Sequence, residues 1–310
     1  MMDLGTLTMN PTLDAAYEVD RVIPSRKMRA SAERYDPGGG GINVARVFVR
    51  LGGNARCYYL SGGATGVALD GLLDLHQLVR TPIRIAGQTR VAAAVHERSS
   101  GQEYRFIPGG PEVSEAEWRA CLKKLETAKH DYFVASGSLP RGVPEDFYAR
   151  VAAMAKAQGM RFVLDTSGPA LAAGLAGGDV FLAKPSISEF RSLVGEDVRG
   201  EKAIADAAMA VIERGHAEYL AVTMASEGAL LASRSGLLRL SALAVDACSA
   251  VGAGDSFLAA MVHALAMGRK PEDAFRFGLA AGAAAVLTPG TDLCRPEDVQ
   301  RLFEQSISKV

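Results

Sequence analysis

The stretch 246–261, DACSAVGAGDSFLAAM, holds the residues whose types and spacing best suit chemistry. At its centre, Gly252-Ala253-Gly254-Asp255 sets two glycines and a carboxylate directly before a run of helix formers. That order describes a tight turn opening a helix. Backbone N–H groups and the positive end of the helix dipole are then free to hold an anion, phosphate above all. A carboxylate is a poor phosphate ligand, but it suits a general base that takes the proton of a hydroxyl attacking a phosphoryl group. Aspartate after glycine more often caps its own helix, so the stretch alone suggests phosphoryl chemistry without establishing it.

Other places offer groups for the same task. Asp14 follows Asn10-Pro11 and is expected at the carboxyl end of a first strand over 4–9, where ligands sit in open α/β sheets; it equally suits a turn. Lys27 and Arg29 are two apart, hence on one face if the segment is a strand, and there they either clamp a substrate phosphate or protect a solvated edge. Pro37-Gly38-Gly39-Gly40-Gly41 leads into INVARVFVRLGG, a helix apolar on most sides. Four glycines cost backbone entropy, and close approach to a ligand is the expected reason. Asn43, in the first turn, offers both a donor and an acceptor to sugar hydroxyls or phosphate.

Strands are expected at 55–60, 131–135, 161–165, 179–183 and 218–223. Helices are expected at 65–78, 114–128, 144–157, 169–174, 186–194, 201–214, 253–267 and 272–287, with a hairpin at 228–240 and a polar tail. Strand and helix alternate, so the fold class is α/β, with a largely parallel central sheet flanked by helices. Ser136-Gly137-Ser138, Asp165-Thr166-Ser167-Gly168 and Lys184-Pro185-Ser186 follow three of the strands, and their shared edge should face one cleft. Outside this pattern, VAAAVHER and EYRFI form a hairpin signature around Ser99-Ser100-Gly101. Pairing with polar strands in 15–35 would make a small separate sheet, a lid, with Arg90 and Arg105 adding positive charge.

Composition narrows the classes. A chain of 310 residues with a net charge of -1 has no general attraction to nucleic acid or anionic membrane. Cys57, Cys121, Cys248 and Cys294 form no Cys-x-x-Cys pair, the five histidines no i, i+4 pair, so neither a disulfide framework nor a zinc site is encoded and a reducing cytoplasm fits best. The amino terminus lacks a basic n-region, and the longest apolar runs, such as 279–287, fall short of a membrane span of about 20 residues. No Gly-x-x-x-x-Gly-Lys-Ser/Thr loop and no protein-kinase motif set is present. A dinucleotide fingerprint is approached at Gly252-Ala253-Gly254, but Phe257 replaces its third glycine, leaving an NAD-dependent enzyme as a weak alternative.

PGGGGINVAR (37–46) and VGAGDSF (251–257) together resemble the two signatures of the ribokinase/PfkB family of sugar kinases. Within it, TLTMNPTLD (6–14), SGGATG (61–66), YRFIPGG (104–110), SGSLPRG (136–142) and GTDLC (290–294) resemble the minor ATP-dependent 6-phosphofructokinase type. The likeness implies a single ribokinase-like α/β domain, a three-layer sandwich over 1–310, with lid strands inserted at about 14–36 and 88–107 and a homodimer formed through the lid. It implies transfer of phosphoryl from MgATP to the 1-hydroxyl of fructose 6-phosphate, with a monovalent cation such as K+ as a further cofactor. By motif position, Asp255 is the base and Gly252, Ala253 and Gly254 supply N–H donors. Asp14, Gly38, Gly39 and Asn43 hold the sugar; Arg90 and Ser138, with Lys27 and Arg29 from a neighbouring subunit, hold its phosphate. Lys184, Ser186, Glu189, Thr223, Gly228 and Gly290 serve the nucleotide, Glu189 organising magnesium through water.

The nucleotide half departs from the family pattern. Ser186 stands where Lys-Pro-Asn-x-x-Glu has asparagine, Ala225 replaces a usual glycine and is tolerable if its φ is negative, Glu227 adds a negative charge, and Asp292 stands where arginine is common, near the adenine end. Tagatose 6-phosphate or fructose 1-phosphate as substrate remains open on motifs alone. So does a phosphosugar-binding regulatory protein with a weakened nucleotide site.

Overall fold

The computed structural model describes residues 3–195, 198–288, 290 and 292–307. The strands are β1 (Asp3–Thr8), β2 (Thr12–Val19), β3 (Ala32–Gly38), β4 (Asn54–Ser61), β5 (Val79–Arg84), β6 (Arg90–Glu97), β7 (Gln102–Phe106), β8 (Tyr132–Ser136), β9 (Arg161–Asp165), β10 (Val180–Ala183), β11 (Ala217–Thr223), β12 (Ala229–Ser233) and β13 (Gly236–Leu240). The helices are α1 (Gly40–Arg50), α2 (Gly63–Leu75), α3 (Glu115–Leu125), α4 (Phe147–Ala157), α5 (Gly168–Ala176), α6 (Ile187–Val194), α7 (Glu201–Glu213), α8 (Ala253–Ala266), α9 (Pro271–Ala285) and α10 (Pro296–Ile307).

A nine-stranded sheet runs β13-β12-β11-β10-β9-β8-β1-β4-β5. Its pairs are parallel from β5 to β11, and β12 and β13 close one side as antiparallel neighbours. The central strands are largely apolar because both faces are covered. In β8, Tyr132 and Val134 point into a core layer shared with α1, α2, α8, α9 and α10. Phe133 and Ala135 point the other way, toward α3 to α7. Three layers result, helix, sheet and helix. No helix among the described residues is long and apolar enough to cross a membrane.

A second, four-stranded sheet runs β3-β2-β6-β7. Strands β2 and β6 pair in parallel from Thr12↔Arg90 to Val19↔Glu97, so the two chain excursions expected to form a small sheet do meet.

Several expectations fail. Asp14 is not at the end of a main-sheet strand: the chain passes Pro11 straight into β2, and Asp14 is its third residue. Lys27 and Arg29 lie in the exposed connection between β2 and β3, not on a strand face; Pro24 interrupts pairing there. Strand β5 has no counterpart among the expected strands; Pro82 argues against a central strand, but β5 is the sheet edge, where a missing N–H is tolerated. The polar tail folds as α10, whose Val299, Leu302 and Phe303 are buried on an otherwise polar helix.

Candidate functional site

The carboxyl ends of β8, β9 and β10 carry Ser136, Asp165 and Lys184, and the structure joins them in one network. Lys184 Nζ lies 3.0 Å from Asp165 Oδ1, and Ser136 donates from Oγ to Asp165 Oδ2 at 3.0 Å. Opposite them α8 begins. Gly252 caps it at φ 71, a left-handed conformation that an L side chain resists, and a Cβ there would also meet Leu293 Cδ2 at 2.3 Å. The first N–H groups of the helix have no partner within it. Gly254 passes so near Lys184 that an added Cβ would sit 3.3 Å from Nζ, so the ammonium adjoins the turn. Cation, turn and helix start together make a cradle for an anion.

Asp255 stands in the first turn of α8 and accepts a hydrogen bond from Asn43 Nδ2, at the start of α1, at 2.9 Å. Burial, helped by the nearby Asp165, pushes its pKa up to about 6, against the lowering effect of Asn43 and Lys184. Such a carboxyl is ionised at neutral pH yet close enough to it to accept and return a proton. Burial pulls Lys184 down, but Asp165, Asp255 and Glu189 outweigh it, and its net shift is upward.

Asp14 faces the same opening from the small sheet. Burial, reinforced by Asp36, raises it to about 6, with Thr12, Arg46 and Arg90 opposing. Gly38 is needed because Asp14 fills its side-chain space: a Cβ would fall 2.1 Å from Oδ2. The neighbouring glycines let α1 start directly against β1 and β8, an added Cβ on Gly40 falling 2.1 Å from Ser136 Oγ and one on Gly39 2.7 Å from Thr8. The protein's own strands thus approach these glycines closely. Arg90 donates to the carbonyls of Pro108 and Asn10, and Asn10 Nδ2 to Ser138 Oγ at 3.3 Å, which brings Arg90 and Ser138 to one corner. Lys27 and Arg29 remain exposed on their loop.

The nucleotide-side candidates behave less simply. Ser186 caps α6, accepting from Glu189 N while its own N donates to Glu189 Oε2 at 2.7 Å. Serine therefore retains a structural role, and one Glu189 oxygen is committed to the cap. Thr223 adjoins Ser186 through a bridge, its N donating to Pro185 O at 3.0 Å. Ala225 has φ 46, so the condition that would make alanine easy there is not met. Gly228 is required by packing, since a Cβ would meet Leu240 O at 2.1 Å. Glu227 is exposed. Gly290 has φ 55, and its neighbours Pro289 and Thr291 lie outside the described residues. Asp292 is matched with cations, Arg34 of β3 at 3.5 Å, Arg295 at 3.7 Å and Arg50 at 3.9 Å.

Sequence reasoning gave no role to Asp165, Asn10, Asp36 or Arg46. Asp165 had a signal, a carboxylate ending a parallel strand; Arg46 had another, a cation on the apolar face of α1 one turn after Asn43. Among the described residues no group of three or more His, Cys, Asp or Glu could hold a metal by itself. Glu189, with one oxygen left outside the α6 cap, fits Mg2+ arriving with phosphates, because that ion keeps waters and needs only one or two carboxylates.

The chain is similar to known proteins along nearly its whole length. The profile of the pfkB family carbohydrate kinases matches residues 7–298. The ATP-dependent 6-phosphofructokinase isozyme 2 of Mycobacterium tuberculosis is 44% identical over 301 residues, 96% of this chain and 88% of that one. The isozyme 2 of Escherichia coli is 37% identical over 304 residues, 98% of each chain. The crystal structure of Escherichia coli phosphofructokinase-2 in complex with potassium superposes with a TM-score of 0.95 at 36% identity, covering 99% of this chain and 100% of that one.

Proposed function

The chain belongs to the pfkB family of carbohydrate kinases, and on that premise we propose that it transfers the γ-phosphoryl of MgATP to the 1-hydroxyl of fructose 6-phosphate, releasing ADP and fructose 1,6-bisphosphate. The observation that carries the reading is the Asp255 carboxyl, held by Asn43 at the start of α8 and facing the Lys184–Asp165 pair. The names of the two isozyme 2 relatives support the substrate.

Asp255 takes the proton of the attacking hydroxyl. The N–H groups of Gly252, Ala253 and Gly254, with Lys184, neutralise charge on the phosphoryl in flight, the dominant contribution in this kind of reaction. Asp14, Gly38, Gly39 and Asn43 hold the sugar; Arg90 and Ser138 bind its phosphate. Lys27 and Arg29, exposed on their loop, reach the phosphate of the neighbouring subunit. Ser186, Thr223, Gly228 and Gly290 border the nucleotide. Glu189 would hold Mg2+ through water, and the ion would supply positive charge to the phosphates. The potassium of the Escherichia coli structure brings a monovalent cation into the proposal, read out as K+-dependent turnover.

The small sheet is an inserted lid on one α/β unit. Its surroundings carry exposed apolar side chains, Met28, Tyr35, Val91, Phe106 and Ile107, as a surface that pairs with a second copy would. Sedimentation as a monomer would contradict the homodimer. All four cysteines are free thiols, in keeping with a cytoplasmic protein.

The test is ADP release with MgATP and, separately, fructose 6-phosphate, tagatose 6-phosphate, fructose 1-phosphate, fructose and ribose, with Asp255→Asn as control. Turnover greatest on fructose 6-phosphate and lost in the variant is expected. Phosphosugar binding without turnover would replace the kinase by a binding protein, a reading that the strained Ala225 in the nucleotide half favours.

A further inference from the structure

We propose that Arg46 is a positioning residue for the Asp255 base: anchored by Asp36 of the small sheet, its guanidinium fixes the Asn43 amide so that the amide N–H faces Asp255. The inference rests on the kinase reading and extends it to a residue that reading gives no substrate contact.

Arg46 follows Asn43 by three positions in α1, so the two side chains share a face. It is 2% exposed. One terminal nitrogen donates to Asn43 Oδ1 and to Pro37 O, both at 3.2 Å, and the other to Asp36 Oδ1 at 3.3 Å. A guanidinium only donates, so the Asn43 oxygen must face it and the amide NH2 must face the other way. There Nδ2 meets Asp255 Oδ2 at 2.9 Å. Turned over, the amide would set its oxygen against a carboxylate, acceptor to acceptor.

The anchor has its own support. Asp36 Oδ2 pairs with Arg34 Nε at 2.6 Å, and Arg34 reaches Asp292 at 3.5 Å. A chain of charged groups thus runs from Asp292 through Arg34, Asp36 and Arg46 to Asn43 and the base, and Asp292 belongs to this chain. Asp36 is also the register partner of Asp14 between β3 and β2. One rung of the small sheet therefore bears both the sugar-facing carboxylate and the anchor of the arginine.

The charged groups facing Asp255 are Asp165 from β9, Lys184 after β10 and Asp14 from β2, besides the amide of Asn43 from α1. Those facing Arg46 are Asp36 and Arg34 from β3, Asp14 from β2 and Arg50 from α1, with His76 beside Asp36. The two sets meet at Asn43, whose amide bonds both side chains, and at Asp14, which acts on both through charge alone. A merely structural Arg46 would support folding but leave the ionisation of the base where it is.

The experiment compares the full chain with Arg46→Lys, Asp36→Asn, Asn43→Ala and the Arg46→Lys/Asn43→Ala double variant. It follows kcat/KM for the phosphosugar between about pH 5 and pH 8, with thermal unfolding to verify folding. In parallel, the Asn43 side-chain amide resonances of 15N-asparagine-labelled protein, assigned by their loss in Asn43→Ala, are titrated without substrate. Arg46→Lys should move the acid limb upward by about half a pH unit and lower kcat about tenfold with KM for ATP little changed. Asp36→Asn should move it the same way by less, and Arg46→Lys should add nothing once Asn43 is alanine. The amide resonances should titrate with the midpoint of that limb. An unmoved limb in folded Arg46→Lys, or in Asp36→Asn should the lysine variant not fold, would overturn the proposal, as would an equal shift without Asn43. Failure of the wild type to release ADP would overturn the kinase reading instead, and the amide titration would still decide the role of Arg46.

Discussion

Replacing the proposed base should make the protein more stable, and more so as the pH rises. Asp255 has a folded pKa of about 6 against an ordinary 3.8, so the folded state favours its protonated form. For an acid shifted upward, stability is complete below the unfolded pKa and is lost as pH rises toward and through the folded one. With these two values, ionising Asp255 costs the folded state about 2 kcal/mol at pH 5 and about 3 kcal/mol at pH 8. The carboxyl borders an open cleft, so water reduces both figures. Asp255→Asn keeps an oxygen for Asn43 to donate to and removes the cost. For a chain of 310 residues the unfolding entropy is about 0.65 kcal/mol/K, so the thermal midpoint should rise by up to about 5 °C at pH 8 and up to about 3 °C at pH 5. Differential scanning calorimetry of both proteins at the two pH values reads this directly, and turnover measured on the same samples should be lost. A gain equal at both pH values, or a loss that grows with pH, would refute the view that burial and Asp165 hold the base upward.

Other consequences follow from the same groups. Ala225→Gly relieves a left-handed alanine worth about 1–2 kcal/mol against about 0.4–1 kcal/mol of added chain entropy, so the thermal midpoint should rise by about 1 °C, and a fall would mean that the strain is absent. Lys184→Met strands Asp165 in a buried site, and urea unfolding should show about 3 kcal/mol lost while kcat drops about 100-fold or more; retained kcat would remove Lys184 from the phosphoryl cradle. Arg90→Gln should raise KM for the phosphosugar about 30-fold through loss of about 2 kcal/mol of charge-assisted contact, and leave KM for ATP nearly unchanged; an equal rise for both substrates would argue against a phosphate site at that corner.

Much of the architecture was legible because it depends on local pattern. Strands buried on both faces, such as YFVAS in β8, must be apolar throughout, and the helices between them carry an apolar face. Local pattern failed where an edge or a partner decides. Pro82 forbids a central strand but not an edge strand. The α10 segment reads as polar because only its face toward Phe277 and the rest of that core layer is apolar. Lys27 and Arg29 alternate like strand residues, yet no strand pairs with their segment.

For the site, sequence alone determined the kinds of group present: a glycine turn that opens a helix at a carboxylate, polar residues at the ends of parallel strands, and cations near a small sheet. Turn and strand-end chemistry act over a few residues, so the chain states them openly. Only tertiary structure decided which groups act on which. Asn43 and Asp255 are 212 positions apart, and Arg34 and Asp292 are 258 apart. Whether Ser186 caps a helix, whether Asp292 is neutralised and whether Asp255 titrates near neutrality depend on distances and burial that parallel β–α connections set. Electrostatic energy falls with separation in space, not along the chain.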